Sequence, residues 1–194
     1  INMQKLSYSY RFLKLLGLNF SEEEYGHISF WGAFKRGFRG LFNALLLKYC
    51  MYSVILSPLN YRKLRPVLWR WMGAKVGKNV FIGYEVWIDF NNTQLIEIRD
   101  GAHITNRCLL LCHQRDLKNY FIDDDSTKLP YSKGKIIIGK NVMIGMGTII
   151  MPGVTIGEGA IVGAGSLVTK DIPAWTIATG RPAKVVKQIP KREL

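Results

Sequence analysis

Residues 142–170 read VMIGMGTIIMPGVTIGEGAIVGAGSLVTK, and this stretch decides the fold. Aliphatic side chains recur at Ile144, Ile150, Ile156, Val162 and Val168, six residues apart. A helix would repeat near 3.6 and a half-buried strand at 2, so neither accounts for the spacing. The same clock runs earlier, through Val76, Ile82 and Ile88 and then through Ile98, Ile104 and Leu110, and it restarts at Ile138. Four residues after the aliphatic stands a small or apolar one: Val80, Val86, Ala102, Cys108, Val142, Thr148, Val154, Ala160 or Ser166. Each hexad is therefore one short strand and one turn, with the aliphatic pointing inward. Three hexads close a triangular coil, and the pattern is that of a β-helix. The repeats begin at 76, 82, 88, 98, 104, 110, 138, 144, 150, 156, 162 and 168, which gives about four coils. At the usual strand separation they stack to roughly 19 Å. Glycine follows the aliphatic at Gly77, Gly83, Gly145, Gly157 and Gly163, and is expected to serve corners with unusual backbone angles.

The repeats divide the chain into a region 1–75 and a region 76–190, the latter interrupted by an excursion at about 116–135. Charge is uneven between them. The chain carries +13 overall; residues 1–75 hold 12 Lys and Arg against 3 Glu, and residues 76–194 hold 15 against 11. Such a basic front end fits an anionic partner, or simply a soluble surface. It reads as helical. In ISFWGAFKRGFRGLFNALLLKYCMYSVILSP (28–58), Phe34, Phe38, Leu41 and Leu45 share one helical face, and Lys35, Arg39 and Asn43 another. The run from Leu41 to Leu59 is apolar apart from Lys48 and ends at Pro58, near the lower limit for a span of about 20 residues. Three readings stand: a helix lying on an anionic membrane, a face packed on protein, or a true span. The opening stretch INMQKLSYSYRFLKLLG lacks the apolar core and cleavage site of a secretory signal, and its Ile1 suggests a trimmed start. Charge alone would admit nucleic acid, but no reading motif accompanies it, so no nucleic-acid partner is expected. Cys50, Cys108 and Cys112 are too few and too scattered for a disulfide framework and read as reduced, buried thiols of a cytoplasmic protein.

Two blocks carry a resemblance: IMPGVTIGEGAIVGAGSLVTKDIP, ending at Pro173, and ATGRPAKVV, 178–186. With the hexads, they are similar to the hexapeptide-repeat acyltransferases. Within that superfamily the chain resembles the sugar and polysaccharide O-acetyltransferases, maltose- and galactoside-type, and LRPVLWRWMGAKVGKNV (64–80) resembles the colanic-acid and capsule branch. The resemblance implies a mainly β fold, a left-handed parallel β-helix after an α-helical N-terminal region, with a C-terminal tail segment. It also implies a homotrimer, acetyl-CoA as co-substrate in the groove between neighbouring prisms, and no metal requirement.

Acetyl transfer from a thioester to a hydroxyl needs a base for the hydroxyl proton, worth about 10²–10⁴ in rate. The sequence holds three histidines. His27 lies in the helical front end and His103 ends a hexad, where a turn is expected. His113, in LLLCHQRDL, closes the second coil just before the excursion, and the resemblance places the catalytic His there. Its ring needs an orienting partner: Asp116, or a backbone carbonyl, because Cys112 and Gln114 stand where relatives often carry Ser or Thr and Asp. Cys112 itself is a poor nucleophile partner, since neighbours on a strand face opposite ways. In WIDFNNTQ (87–94), Asn91 and Asn92 match the acceptor region and are candidates for hydrogen bonds to a sugar hydroxyl, against a plain Asn-Asn turn. The resemblance assigns coenzyme A to Gly145, Ala164, Thr169, Lys170, Arg181 and Lys184, the cations serving its phosphates. Met143 and Met146 depart from the Trp and Ser usual in relatives. The excursion DLKNYFIDDDSTKLPYSKGK reads as an arm over the acceptor site or a neighbouring subunit; its Asp123–Asp125 run reads as a solvated turn.

The expected activity is acetyl-CoA-dependent O-acetylation of a sugar hydroxyl on a polysaccharide or lipid-linked glycan precursor, at the inner face of the cell membrane. An N-acetyltransferase on an amino sugar, a small-molecule acetyltransferase and a non-catalytic scaffold are the alternatives. A zinc carbonic anhydrase on the same prism would need three protein ligands, which His103 and His113 do not supply.

Overall fold

The computed structural model describes residues 6–18, 20, 22–53 and 59–192. The last part of the apolar run, 54–58 with its closing Pro58, and the leading Ile1 lie outside the described residues. Contacts divide the chain into two compact units, Ile1–Asn43 and Ala44–Leu194. The division falls within a helix, whereas the hexad grammar begins at residue 76.

The first unit is helical. Helix α1, Tyr8–Leu15, starts at Ser7, whose hydroxyl accepts the Tyr10 N–H at 3.2 Å. This satisfies one of the donors a helix start leaves open. A short α2, Glu22–Tyr25, follows, and the Ser7 N–H donates to the Gly26 carbonyl at 2.7 Å. Helix α3, Phe30–Tyr52, begins beside Ser29, whose hydroxyl accepts the Gly32 N–H. Phe34, Phe38, Leu41 and Leu45 form the expected face and are exposed; Lys35 and Arg39 are exposed too, but Asn43 is buried rather than solvated with them. No helix among the described residues is long and apolar enough to cross a membrane.

In the second unit a π-helical turn, Asn60–Leu64, leads into α4, Arg65–Met72, with Pro66 in its first turn. Gly73 ends α4 in the left-handed conformation, φ 111°, which a side chain would oppose. Sixteen strands follow among the described residues. β1 (Lys75–Val76), β4 (Ile96–Ile98), β9 (Ile136–Ile138) and β12 (Thr155–Ile156) stack in parallel as the first face of the prism. The second face holds β2 (Phe81–Ile82), β5 (His103–Ile104), β10 (Met143–Ile144), β13 (Ile161–Val162) and β15 (Thr176–Gly180), with β16 (Ala183–Gln188) antiparallel on β15. The third face holds β3 (Trp87–Ile88), β6 (Leu109–Leu110), β11 (Ile149–Ile150) and β14 (Leu167–Val168). This is the expected left-handed parallel β-helix.

All twelve aliphatics head the expected columns: Val76, Ile98, Ile138 and Ile156 in register on one face, Ile82, Ile104, Ile144 and Val162 on the next, Ile88, Leu110, Ile150 and Val168 on the third. The small residues four positions on are all buried, Thr148 and Ser166 with their hydroxyls on the Gly145 and Gly163 carbonyls. A fifth coil begins where Ile172 bridges Ile156 and β15 pairs with β13. An open coil would expose its core, and α4 covers the first one. Leu68, Trp69 and Met72 belong to the same buried cluster as Val80 and Ile82, and the buried Arg65 donates to the Ile82 carbonyl at 3.1 Å.

The glycines work differently from the expectation. The left-handed residue is the third after the aliphatic: Asn79, Glu85, Arg107, Asn141 and Trp175, or glycine at Gly101, Gly147, Gly153, Gly159 and Gly165. The glycine immediately after the aliphatic is needed for closeness. A Cβ on Gly145 would stand 2.4 Å from the Ala164 nitrogen and 2.7 Å from its Cα, backbone atoms of the next coil. Gly145→Ala should therefore lower the melting temperature although its dihedrals suit alanine, because two coils locked by the Gly145 N–H to Val162 carbonyl bond at 2.8 Å must separate. An unchanged melting temperature would refute the steric account.

Candidate active site

The corner where the third face turns into the first carries the chemistry. Ile88 and Leu110 are register partners, so the residues after them stack in adjacent coils. Asp89 follows Ile88, and His113 stands three residues after Leu110, opening β7, His113–Arg115. Their side chains meet: His113 Nδ1 bonds Asp89 Oδ2. The same oxygen accepts from Asn92 Nδ2 at 2.9 Å. Asp89 is buried, its side chain 4% exposed, whereas that of His113 is 39% exposed. A buried carboxylate holding Nδ1–H fixes the tautomer that leaves Nε2 as a lone-pair base.

The excursion builds a wall beside this pair. β7 pairs antiparallel with β8, Tyr131–Lys133, so the excursion is a hairpin at its base, and over 116–130 it holds only a short 3-10 turn, Ser126–Lys128. The Tyr131 ring meets the His113 ring edge-on, centroids 5.2 Å apart, and the Arg115 guanidinium lies 4.1 Å over Tyr131.

Asp116 does not reach the histidine. Its Oδ1 accepts the Lys118 N–H at 3.0 Å, an ordinary turn bond, and the orienting carboxylate is that of Asp89. Asn92 is buried against Asp89, so it supports the carboxylate rather than facing an acceptor; Asn91 is exposed. Sequence distance hid Asp89, 24 residues from His113. The signal was present in the hexad register, which aligns residue 88 with residue 110. His103 sits on a strand and not in a turn: it faces outward from β5, 4.0 Å from the Phe81 ring, and burial, then Arg62, lower its pKa.

Cys112 is fully buried while His113 opens to solvent, the alternation expected of strand neighbours. Burial, helped by the charge of Asp89, pushes the Cys112 thiol up to about 12. It stays protonated at neutral pH and is no nucleophile. Iodoacetamide should leave Cys112 unmodified in the folded protein, and Cys112→Ala should keep acyl transfer within about threefold; loss of transfer with the fold intact would reinstate a thiol mechanism.

The residues assigned to coenzyme A fall on two edges of one prism. Gly145 and Ala164 stack at the corner between the second and third faces. The Gly180 N–H donates to Ser166 Oγ at 3.2 Å, which brings the β15–β16 turn with Arg181 to that corner, and Lys184 pairs with Thr179 beside it. Thr169 and Lys170 instead follow β14 at the His113 corner, two coils further along. Between the two edges lies the third face, whose outward side chains are Trp87, Leu109, Ile149 and Leu167.

An open recess of about 710 Å³ lies elsewhere, on the first face, between Arg70, Lys75, Glu97, Arg99 and Lys140. None of the expected site residues lines it. Glu97 is held there below the usual carboxylate range by hydrogen bonds from Lys135 and Arg99. The histidine–carboxylate pair, not the recess, has the geometry of a reacting centre. Among the described residues no group of three or more His, Cys, Asp or Glu is placed to hold a metal ion.

Residues 135–170 match the family described as bacterial transferase hexapeptide (six repeats). A maltose O-acetyltransferase from Clostridium difficile 630 superposes with a TM-score of 0.62 at 23% identity, over 80% of this chain and 89% of that one. A galactoside acetyltransferase in complex with coenzyme A gives 0.58 at 25%, over 80% and 82%. AntD, an N-acyltransferase from Bacillus cereus in complex with dTDP and coenzyme A, gives 0.52 at 28%, over 59% and 63%, so this chain spans about three-fifths of AntD. No curated protein matches the chain. The matched repeats and the fold agree with the hexapeptide-repeat acyltransferases that its motifs resemble. Among solved structures its similarity runs to a galactoside acetyltransferase and to AntD.

Proposed function

We propose that the protein is an acetyl-CoA-dependent O-acetyltransferase acting on a sugar hydroxyl of a polysaccharide or lipid-linked glycan precursor. It transfers directly, with His113 as general base. One observation carries this reading: a solvent-open histidine on the prism corner, with Nδ1 held by the buried Asp89. His113 Nε2 takes the acceptor proton as the hydroxyl oxygen attacks the thioester carbonyl. The imidazolium, balanced by Asp89, then returns that proton to the departing sulfur. Tyr131, whose ring meets that of His113, borders the space an acceptor would enter, and the exposed Asn91 is the candidate for a hydrogen bond to it.

The active unit in this reading is a homotrimer. Thr169 and Lys170 share an edge with His113, while Gly145, Ala164, Arg181 and Lys184 sit on another edge across an apolar face. One coenzyme A contacts both sets only if a second prism brings its Gly145 edge to the His113 edge of the first. The reading also places the trimer at the inner face of the cell membrane, beside lipid-linked acceptors, on the strength of the basic helical front end. The similarity to AntD favours one second reading, transfer to an amine of an amino sugar.

The test is thiol release from acetyl-CoA with sugars, amino sugars, nucleotide sugars and lipid-linked oligosaccharides, alongside coenzyme A binding by calorimetry. Acceptor-dependent release with an acetyl ester as product is expected. An acetyl amide would select the second reading, and failure to bind coenzyme A would refute both.

A further inference from the structure

We propose that α3 is an in-plane anchor for an anionic lipid bilayer, through the stripe formed by Phe30, Trp31, Phe34, Phe38, Leu41 and Phe42. This deepens the proposed membrane location, and it stands on the first unit alone. At 100° per residue the six positions fall within an arc of about 120° and run for about 18 Å. All six side chains are exposed, Trp31 at 74% and Phe38 at 64%. Soluble proteins scatter such residues singly; a continuous aromatic stripe marks a surface that is covered in use. Lys35 and Arg39, both exposed, follow one rim of the stripe.

Helix α1 repeats the device. Tyr8, Phe12 and Leu15, at i, i+4 and i+7, are exposed, and Arg11 and Lys14 are the charges of that helix. Neither α1 nor α3 contains an acidic residue. That composition decides between occupants. A second copy would bring the same cations to the stripe and be repelled, whereas anionic headgroups complement them. Trp and Phe with flanking Lys and Arg suit the boundary between headgroups and acyl chains. The helix lies along the surface, since it is too polar to cross.

The experiment is sedimentation of the full chain with phosphatidylcholine vesicles, with and without phosphatidylglycerol, at low and high salt. Binding is expected only with phosphatidylglycerol and should weaken at high salt. The Phe34→Ser/Phe38→Ser pair should lower vesicle partitioning by about tenfold or more, with an unchanged circular dichroism spectrum. Lys35→Gln/Arg39→Gln should remove most of the dependence on phosphatidylglycerol. No binding by the wild type overturns the proposal, as does binding that survives both variants. So does a stripe variant that changes the subunit count while vesicle binding stays the same, which would make the stripe a contact between copies. Vesicle binding does not depend on acetyl transfer, so an anchor without enzyme activity and an enzyme without an anchor are separate outcomes.

Discussion

Replacing His113 by Ala should lower kcat for acetyl transfer by about 10²–10⁴ while coenzyme A affinity stays within about twofold. The loss is that of proton transfer. A sugar hydroxyl is almost wholly protonated at pH 7, so its attack on the thioester needs a base in place as the proton leaves. His113 has one nitrogen free for this because Asp89 holds the other. Asp89→Asn should therefore cost at least about tenfold in kcat, since an amide can donate to Nδ1 and stabilise the wrong tautomer. The pH–rate profile should change shape as well, because the imidazolium formed during turnover loses its counter-charge. Asp116→Ala should stay within about twofold, as befits a turn carboxylate bonded to the Lys118 N–H. Equal losses at Asp89 and Asp116 would refute this division of roles. Full activity in His113→Ala would remove the base altogether and point to a scaffold.

The contrast between those two aspartates shows where sequence reading reached and where it stopped. Period six is a property of neighbouring residues, so every hexad aliphatic from Val76 to Val168 was legible, and so were the small residues between them. His113 was legible as the histidine closing a coil. Asp89 was not, because reading outward from the histidine favoured Asp116, three residues away. In a β-helix the relevant neighbours are one coil apart, about 18–24 residues, and the extra residues between the hexads that begin at Ile88 and Ile98 obscured this count. Glycine was misassigned for a related reason. A turn that needs positive φ and a strand that needs close backbone approach both select glycine, and only the stacked coils separate Gly147 from Gly145. The two-edge placement of the coenzyme A residues was also beyond a linear reading, since Ala164 and Thr169 are five residues apart in the chain yet stand at different corners.

Ile137 and Ile138 offer the sharpest test of the prism itself. They are adjacent on β9 and chemically identical, but Ile138 is fully buried in the column of Val76, Ile98 and Ile156 while Ile137 faces outward. Ile138→Ala should destabilise by about 2–5 kcal/mol, the lost transfer energy plus the cavity it leaves. At roughly 2–4 °C per kcal/mol, that is a clear fall in melting temperature. Ile137→Ala should cost less than about 1 kcal/mol. Each coil rests only on its neighbours, so a cavity in the third coil weakens the stacking on both sides, and the strand between Lys135 and Gly139 should lose amide-exchange protection first. Both variants must be compared at one protein concentration, because the proposed trimer would add its own stabilisation by mass action. That condition also makes the pair informative about assembly. A large, concentration-dependent loss in Ile137→Ala would mean that the first face, with Lys75, Glu97 and Thr155 as its other outward residues, is the one buried between subunits. A small, concentration-independent loss leaves the third face, with Trp87, Leu109, Ile149 and Leu167, as the surface that a neighbouring prism would approach in the proposed trimer.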